Sequence, residues 1–385
     1  MKDGSLKNVF VINFLFAFMS AAVVMLLPLY MIDKQFSLEN IGLILAAMPV
    51  TFLIFRLIFS TLGDQLGTRV IFFINAVTTT VGIFIYWVSA SPLAFVAGRL
   101  TDGIKESSFW AVNRTEAYRA SEKKNLELNA VNMVGIRGIG FTLGRFVAGA
   151  MLLFISFQNA FLALGILSLV LFYFAGKTSK NGTVKLDFPD LLKRLTKPRT
   201  SDFWLATIPL TIYGIVDFTL FVFTLPVYMD VFLGMGYLEI GLIIGWAMLI
   251  YSISIFVMTK LKFGMKNLAL ITMLLLGIPI ILIPFVDVMS FLVLLSLFGF
   301  GLGAANVIYE KIVVWATGRS KDTSTEIGVL HAPLRIGEMV SMALIGFIIS
   351  AFGFVAAFLL SGVFIFLYGA VSIILSRKMQ KTGFL

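Results

Sequence analysis

Apolar residues in this chain come in blocks of about twenty, broken by short polar stretches. They do not follow the period of a half-buried helix or strand. The stretches 70–90 and 353–376 contain no charged residue, and each reaches the ~20 residues with which a helix crosses a bilayer. Read in this way, the chain has twelve candidate spans: 8–31, 38–60, 70–90, 92–114, 126–153, 157–175, 203–229, 237–259, 267–286, 290–316, 325–351 and 353–376. The first is too long for a signal-peptide core and no small-residue cleavage site follows it, so it reads as an uncleaved span. An even number of spans returns both termini to one side.

Charge selects that side. Segments on the terminal side hold 22 Lys and Arg, whereas the opposite loops hold one, Lys34. The positive-inside rule therefore puts both termini in the cytoplasm of a multi-pass cell-membrane protein. The net charge of +10 is then a topology signal and implies no nucleic-acid partner. Composition agrees: 59% hydrophobic and 13% charged residues leave too little polar surface for a soluble domain, which carries about 25% charged residues.

Enzyme chemistry finds no support. There is no Cys, and the one histidine, His331, cannot build a zinc site alone. Gly299-x-Gly-x-Gly303 lies inside an apolar span with no strand before it, which excludes a nucleotide loop. No metal or cofactor is expected, and the energy source is an ion gradient or the solute's own gradient.

The Lys-rich segment 176–202, with Pro189 and Pro198, divides the chain into two six-span bundles, 1–175 and 203–385, and these repeat. Leu27-Pro-Leu-Tyr-Met31 recurs as Leu225-Pro-Val-Tyr-Met229, and Ile41-Gly-Leu-Ile44 as Ile240-Gly-Leu-Ile243. Trp110-Ala111 with Arg114 recurs as Trp315-Ala316 with Arg319, and Ala160-Phe-Leu162 as Ala357-Phe-Leu359. All four offsets fall between 197 and 205. Six spans separate each pair, so the copies share one membrane orientation, a parallel duplication found in one class of transporters.

At the basic end of the second span stands Ser60-Thr-Leu-Gly63-Asp64-Gln-Leu-Gly67-Thr-Arg69. It resembles the loop signature of the major facilitator superfamily, with Ser60 for the leading glycine and Gln65 for the usual arginine. The tandem copy, Leu261-Lys-Phe-Gly264-Met-Lys266, keeps the glycine and the last base. Arg99-x-x-x-Gly103 resembles the family's fourth-span element. Gly140-x-x-x-Gly144-Arg145-x-x-x-Gly149 is similar to a degraded antiporter motif with Arg145 at the proline position. The resemblance implies an all-α fold of twelve helices in two pseudo-symmetric six-helix bundles. It also implies gating roles for Gly63, Asp64, Gly67 and Arg69, with Asp64 lying against the start of the eleventh span. Gly63 and Gly67 allow a tight turn there, and Gly140 and Gly144 serve close packing or bending.

Charges at bilayer depth cost at least ~2.5–3.5 kcal/mol each, so they should face protein or water. Here they are Arg56, Arg99, Asp102, Lys105, Glu106, Arg137 and Arg145, then Asp217, Glu310, Lys311, Arg335 and Glu338. The third, sixth, ninth and twelfth spans have none, as expected of lipid-facing helices. Arg99, Asp102 and Glu106 share one helical stripe, as do His331, Arg335 and Glu338. Lys105-Glu106 and Glu310-Lys311 stand in register with charges exchanged and suggest gating ion pairs between the halves. Arg56 reads as an end-of-span arginine snorkelling to the interface.

Two transport readings follow. A proton-coupled exporter of amphipathic or drug-like solutes would use Asp217, Asp102, Glu106, Glu310 and Glu338 for protons, and Trp110, Tyr213 and Phe221 for the solute. An organic-anion carrier, working by uptake or exchange, would use Arg99, Arg137, Arg145 and Arg335, because guanidinium forks bind carboxylate or phosphate. Lipid translocation and a non-transporting receptor stand behind these. The expected partners are a small-molecule substrate, protons and membrane lipid, with the protein a monomer.

Overall fold

The structure is a computed structural model that describes residues 2–120, 126–178, 189, 193, 196–318 and 323–381. Every regular element among them is helical. The first half contains α1 (Lys2–Asp33), α2 (Leu38–Leu45), α3 (Ala47–Leu66), α4 (Thr68–Val88), α5 (Pro92–Ala120), α6 (Leu126–Met151), α7 (Phe157–Ser168) and α8 (Val170–Ala175). The second contains α9 (Ser201–Phe232), α10 (Tyr237–Lys260), α11 (Met265–Phe285), α12 (Val288–Thr317), α13 (Thr323–Leu330) and α14 (Ala332–Lys381).

Among the described residues, nine helical stretches are long and apolar enough to cross a membrane. The long helices α5 and α6 fall outside that set because they carry most of the first half's intramembrane charge. The stretch Thr325–Lys381 has 57 residues, about 85 Å at 1.5 Å per residue, against a hydrocarbon core of ~30 Å. It breaks at Gly353, whose φ of 77° and ψ of 174° leave the helical region and suit glycine. Around the molecule, large apolar side chains such as Val81, Ile166, Leu274 and Val363 face outward, as a lipid environment requires.

Helix ends and irregularities have local causes. Thr200, Ser156 and Asp287 cap α9, α7 and α12 by accepting backbone N–H groups three residues on, which satisfies donors the helix leaves free. α9 contains two π-turns, Leu220–Thr224 and Tyr228–Phe232, on either side of Pro226. Proline lacks an N–H and crowds the carbonyl four residues back, and an added residue per turn accommodates it. One sequence expectation needs correction. Gly63 lies inside α3, and the turn to α4 is a single residue, Gly67, at φ 84°.

Packing follows the duplication. Tyr30 and Tyr228, in the repeated Leu-Pro-x-Tyr-Met segments, are both buried at 1% exposure. The Tyr30 ring lies 5.2 Å from Phe157, 5.7 Å from Phe161 and 5.5 Å from Phe95. The Tyr228 ring meets their counterparts, Phe354 at 5.4 Å, Phe358 at 5.0 Å and Phe291 at 6.2 Å.

Between the halves, α6 packs on α10, and α2 and α3 pack on α14. Both crossings close near the face that carries Lys34, where Lys34 and Tyr237 line one surface pocket of about 230 Å³. A Cβ on Gly42 would lie 2.7 Å from the Met342 carbonyl, and one on Gly346 would overlap the Leu38 carbonyl at 2.1 Å. The second crossing repeats the first. A Cβ on Gly149 would lie 2.7 Å from the Tyr237 carbonyl, and one on Gly241 would lie 2.7 Å from the Arg145 carbonyl. Backbone meets backbone at both, which only glycine allows.

Candidate functional site

The first half holds a buried ionic cluster, in which Arg99 Nε and Nη2 have no hydrogen-bond partner among the described residues. On α5, Arg99 Nη1 lies 3.0 Å from Asp102 Oδ2, and Lys105 Nζ lies 3.1 Å from Asp102 Oδ1 and 3.4 Å from Glu106 Oε1. The i, i+3 spacing places these groups on one face. Neighbouring helices add to the shell: the Tyr86 hydroxyl of α4 donates to Asp102 at 2.6 Å and Ser20 of α1 donates to Glu106 at 3.0 Å, while Trp110 Nε1, one turn on along α5, also donates to Glu106 at 3.0 Å. Arg99 and Asp102 are each 2% exposed. Removing one member of such a buried set strands the others at a cost of about 3–5 kcal/mol. Asp102, through Tyr86, therefore ties α5 to α4, and Glu106, through Ser20, ties it to α1.

The cross-half ion pairs expected of Lys105 and Lys311 do not form. Lys105 has carboxylates at i−3 and i+1 on its own helix, and Lys311 donates to the Phe263 carbonyl at 2.8 Å within its own half. The pair that does bridge the halves is Arg114–Glu310 at 3.7 Å, with side chains 53% and 47% exposed. Nor do Arg137 and Arg335 share one site. Arg137 stacks over Trp110 at 5.1 Å and donates to Asn13 at 3.3 Å. Arg335 pairs with Glu338 at 2.6 Å and lies over Phe52 of the first half at 3.8 Å.

Asp217 differs from every other carboxylate at this depth. Between Phe203 and Met229 it is the sole charged residue, half-buried and one turn before the first π-turn of α9. Among the described residues it forms no ion pair and no hydrogen bond; the cations that act on it are Arg145, from α6 of the other half, and Arg335. Arg145 is buried at 6% exposure and donates to the Phe141 carbonyl at 3.2 Å.

Tyr213 packs against Tyr309 and Tyr368, each ring at 5.5 Å, and Phe221 packs against Phe298 at 5.2 Å, so both belong to the second half's aromatic core. His331 Nε2 and the Tyr309 hydroxyl are 2.7 Å apart. Arg69 donates to the Thr178 carbonyl, tying α4 to the end of α8. Gly140 and Gly144 pack on the α1 backbone: a Cβ would lie 2.8 Å from the Phe14 carbonyl and 2.2 Å from that of Phe18. The Asp64 side chain, Arg319 and most of 176–202 lie outside the described residues.

Several contributors are uncharged and escape a search for charge. Asn13 and Asn113 exchange amide hydrogen bonds at 2.7 and 3.0 Å, and Asn75 donates to the Lys105 carbonyl at 2.8 Å. Their one signal is an amide inside an apolar span. Among the described residues no group of three or more His, Cys, Asp or Glu is placed to hold a metal.

This fold has relatives. It superposes on the crystal structure of a mutant of the nucleoside transporter NupG with a TM-score of 0.74 at 13% identity, covering 98% of this chain and 99% of that one. It also superposes on a bacterial homologue of the human lysosomal transporter Spinster, in an inward-facing and unoccupied conformation. There the TM-score is 0.72 at 14% identity, with 99% and 98% covered. No curated protein matches by sequence. The sequence model of the Major Facilitator Superfamily matches residues 9–235 and again 207–383. Together with the helical duplication, that double match over nearly the whole length shows that the chain belongs to the major facilitator superfamily.

Proposed function

We propose that the protein is a secondary active transporter that works by alternating access, coupled to protons and exporting an amphipathic or drug-like small molecule. In this reading its twelve spans form two bundles, 1–175 and 203–385, joined by a cytoplasmic linker, 176–202. The observation that carries it is Asp217. Among the described residues this carboxylate has no ion pair or hydrogen bond to break when it gains or loses a proton. Its two cations sit on opposite halves: Arg335 moves with Asp217, whereas Arg145 moves with α6. Rocking one half against the other changes the Arg145 distance and, with it, the affinity of Asp217 for a proton. That ties protonation to conformation.

The test is Asp217→Asn in proteoliposomes. This variant is expected to fold and to exchange substrate for substrate, yet to lose accumulation driven by a pH gradient. Accumulation that persists would remove Asp217 from coupling and pass the role to Glu338 or Glu310. Orientation is tested separately in this Cys-free chain. An impermeant thiol reagent on intact cells should label Lys34→Cys and spare Lys197→Cys; the converse would invert the topology.

A second reading, a carrier for an organic anion, is supported by one feature that an exporter of neutral solutes leaves unexplained. Among the described residues, Arg56 is a buried guanidinium without a carboxylate partner.

A further inference from the structure

Arg56 projects from α3 into the contact with α13 and α14, at 6% exposure. A Cβ on Gly328 of α13 would lie 4.0 Å from its Cγ and 3.4 Å from Leu57, so the packing helix covers the side chain and prevents it from reaching the interface. Among the described residues it donates no hydrogen bond, and its Nη1 is sealed from solvent with no acceptor. The charged groups that act on it are both cations, Arg335 and Arg114.

Among the described residues no carboxylate pairs with it. From α14, Glu338 holds Arg335 Nη1 at 2.6 Å, leaving Arg335 Nε without an acceptor. From α12, Glu310 faces Arg114 of α5 at 3.7 Å. Asp217 of α9 lies within reach of the charges of Arg145 and Arg335 but pairs with neither. Arg114 and Arg335 thus take the two paired carboxylates, Glu310 and Glu338, and leave Arg56 without one, while Arg137 acts on Arg114 and Glu310 from α6. His331 and Tyr309, bonded to each other, add no negative charge. A buried cation among cations is costly and persists where something else supplies the missing charge.

We propose that Arg56 and Arg335 form the two sides of an anion site between the halves, which takes the carboxylate or phosphate-monoester group of a ligand bearing one or two negative charges. Phe52, one turn from Arg56 on α3 and already under the Arg335 guanidinium, offers an apolar wall to the rest of that ligand. The half-exposed Arg114 and Glu310 give water access from the basic face. The site rests on the anion-carrier reading and adds a location to it. It adds Arg56 to the arginines that reading uses and sets it opposite Arg335.

The experiment uses the full chain in phosphatidylcholine nanodiscs, with sodium benzoate, inorganic phosphate and benzyltrimethylammonium as probes, read by Tm and by calorimetric Kd. Benzoate or phosphate should raise Tm by several degrees and the cation should not. Arg56→Gln should weaken anion binding about tenfold or more, the loss of a charge-assisted fork, and Arg56→Lys should recover part of it. Without anion, Arg56→Gln should not lower Tm, because no internal counter-ion loses a partner.

A fall in Tm of several degrees in anion-free Arg56→Gln would overturn the site by revealing an internal partner. Unchanged Kd values in that variant would also overturn it while leaving the anion-carrier reading intact. Failure of both anions to bind the wild type would remove site and reading together. Adding phosphatidic acid, whose headgroup is a phosphate monoester, to the discs identifies the source. If a lipid phosphate is the ligand, wild-type Tm rises with that lipid, benzoate adds nothing further, and Arg56→Gln responds to neither. If the ligand is a soluble anion, benzoate stays effective in both membranes.

Discussion

The two ends of the contact between the halves are built from different materials. Near the Lys34 face the halves meet through backbone: Gly42 and Gly346 at one crossing, Gly149 and Gly241 at the other, each admitting no Cβ without displacing a carbonyl. Towards the basic face they meet through long side chains. There Arg114 reaches Glu310 at 3.7 Å, Arg335 lies over Phe52, and Gly135 of α6 has nothing within 4 Å of where its Cβ would stand. Backbone packing at close range is lost over a fraction of an ångström, whereas half-hydrated ion pairs rearrange at a cost of about 0–1 kcal/mol. The Lys34 end is therefore a shape-specific seal, and the basic end is the cheaper one to part.

The largest expected effect breaks the seal. Gly346→Leu puts side-chain atoms where the Leu38 carbonyl stands. Overpacking of this kind costs about 1–3 kcal/mol, roughly five- to 150-fold in the ratio of sealed to open molecules. Spin labels at Ser91, in the turn before α5, and Met289, in the first turn of α12, both at that face, should move apart by several ångströms, and transport should fall accordingly. Gly149→Leu should reproduce the result at the symmetry-related crossing. If only one of the pair opens the face, the crossings are not equivalent and the duplication does not extend to the seal.

Parts of this were legible in the sequence. The repeated Leu-Pro-x-Tyr-Met segments announce the duplication, and the structure returns it as matching aromatic clusters around Tyr30 and Tyr228. The intramembrane charges were legible as a set, because each stands out against an apolar span. Their pairing was not. The stripe Arg99, Asp102, Glu106 is visible from spacing, but its closure by Tyr86 and Ser20 depends on where α4 and α1 come to lie. Register between the halves suggests Lys105 facing Glu310, and it fails because carboxylates on α5 itself are nearer. Arg56 reads as a snorkelling residue by its distance from the span's end, whereas its burial is imposed by α13, a remote segment. Gly42 and Gly241 sit inside the repeated Ile-Gly-Leu-Ile tetrads, yet nothing local says that they meet Gly346 and Gly149. Contacts between helices far apart in sequence are set by crossing geometry, which hydropathy does not encode.

The smallest expected effect tests the other end of the comparison. Arg114 and Glu310 are roughly half exposed, and their separation of 3.7 Å lies at the long end of ion-pair distances. Water screens most of their attraction, and two flexible side chains lose entropy when held together, so the pair contributes at most ~1 kcal/mol. Arg114→Gln and Glu310→Gln should each shift the opening equilibrium by no more than roughly fivefold, and the double variant should match the weaker single within error. High salt should reproduce part of the effect in the wild type and add little in either variant. Labels on the basic face of each half, at Lys177 after α8 and Lys260 at the end of α10, read the outcome. A change as large as that of Gly346→Leu would mean that this pair, exposed as it is, locks the basic face, and the contrast between a backbone seal and a loose ionic one would be lost.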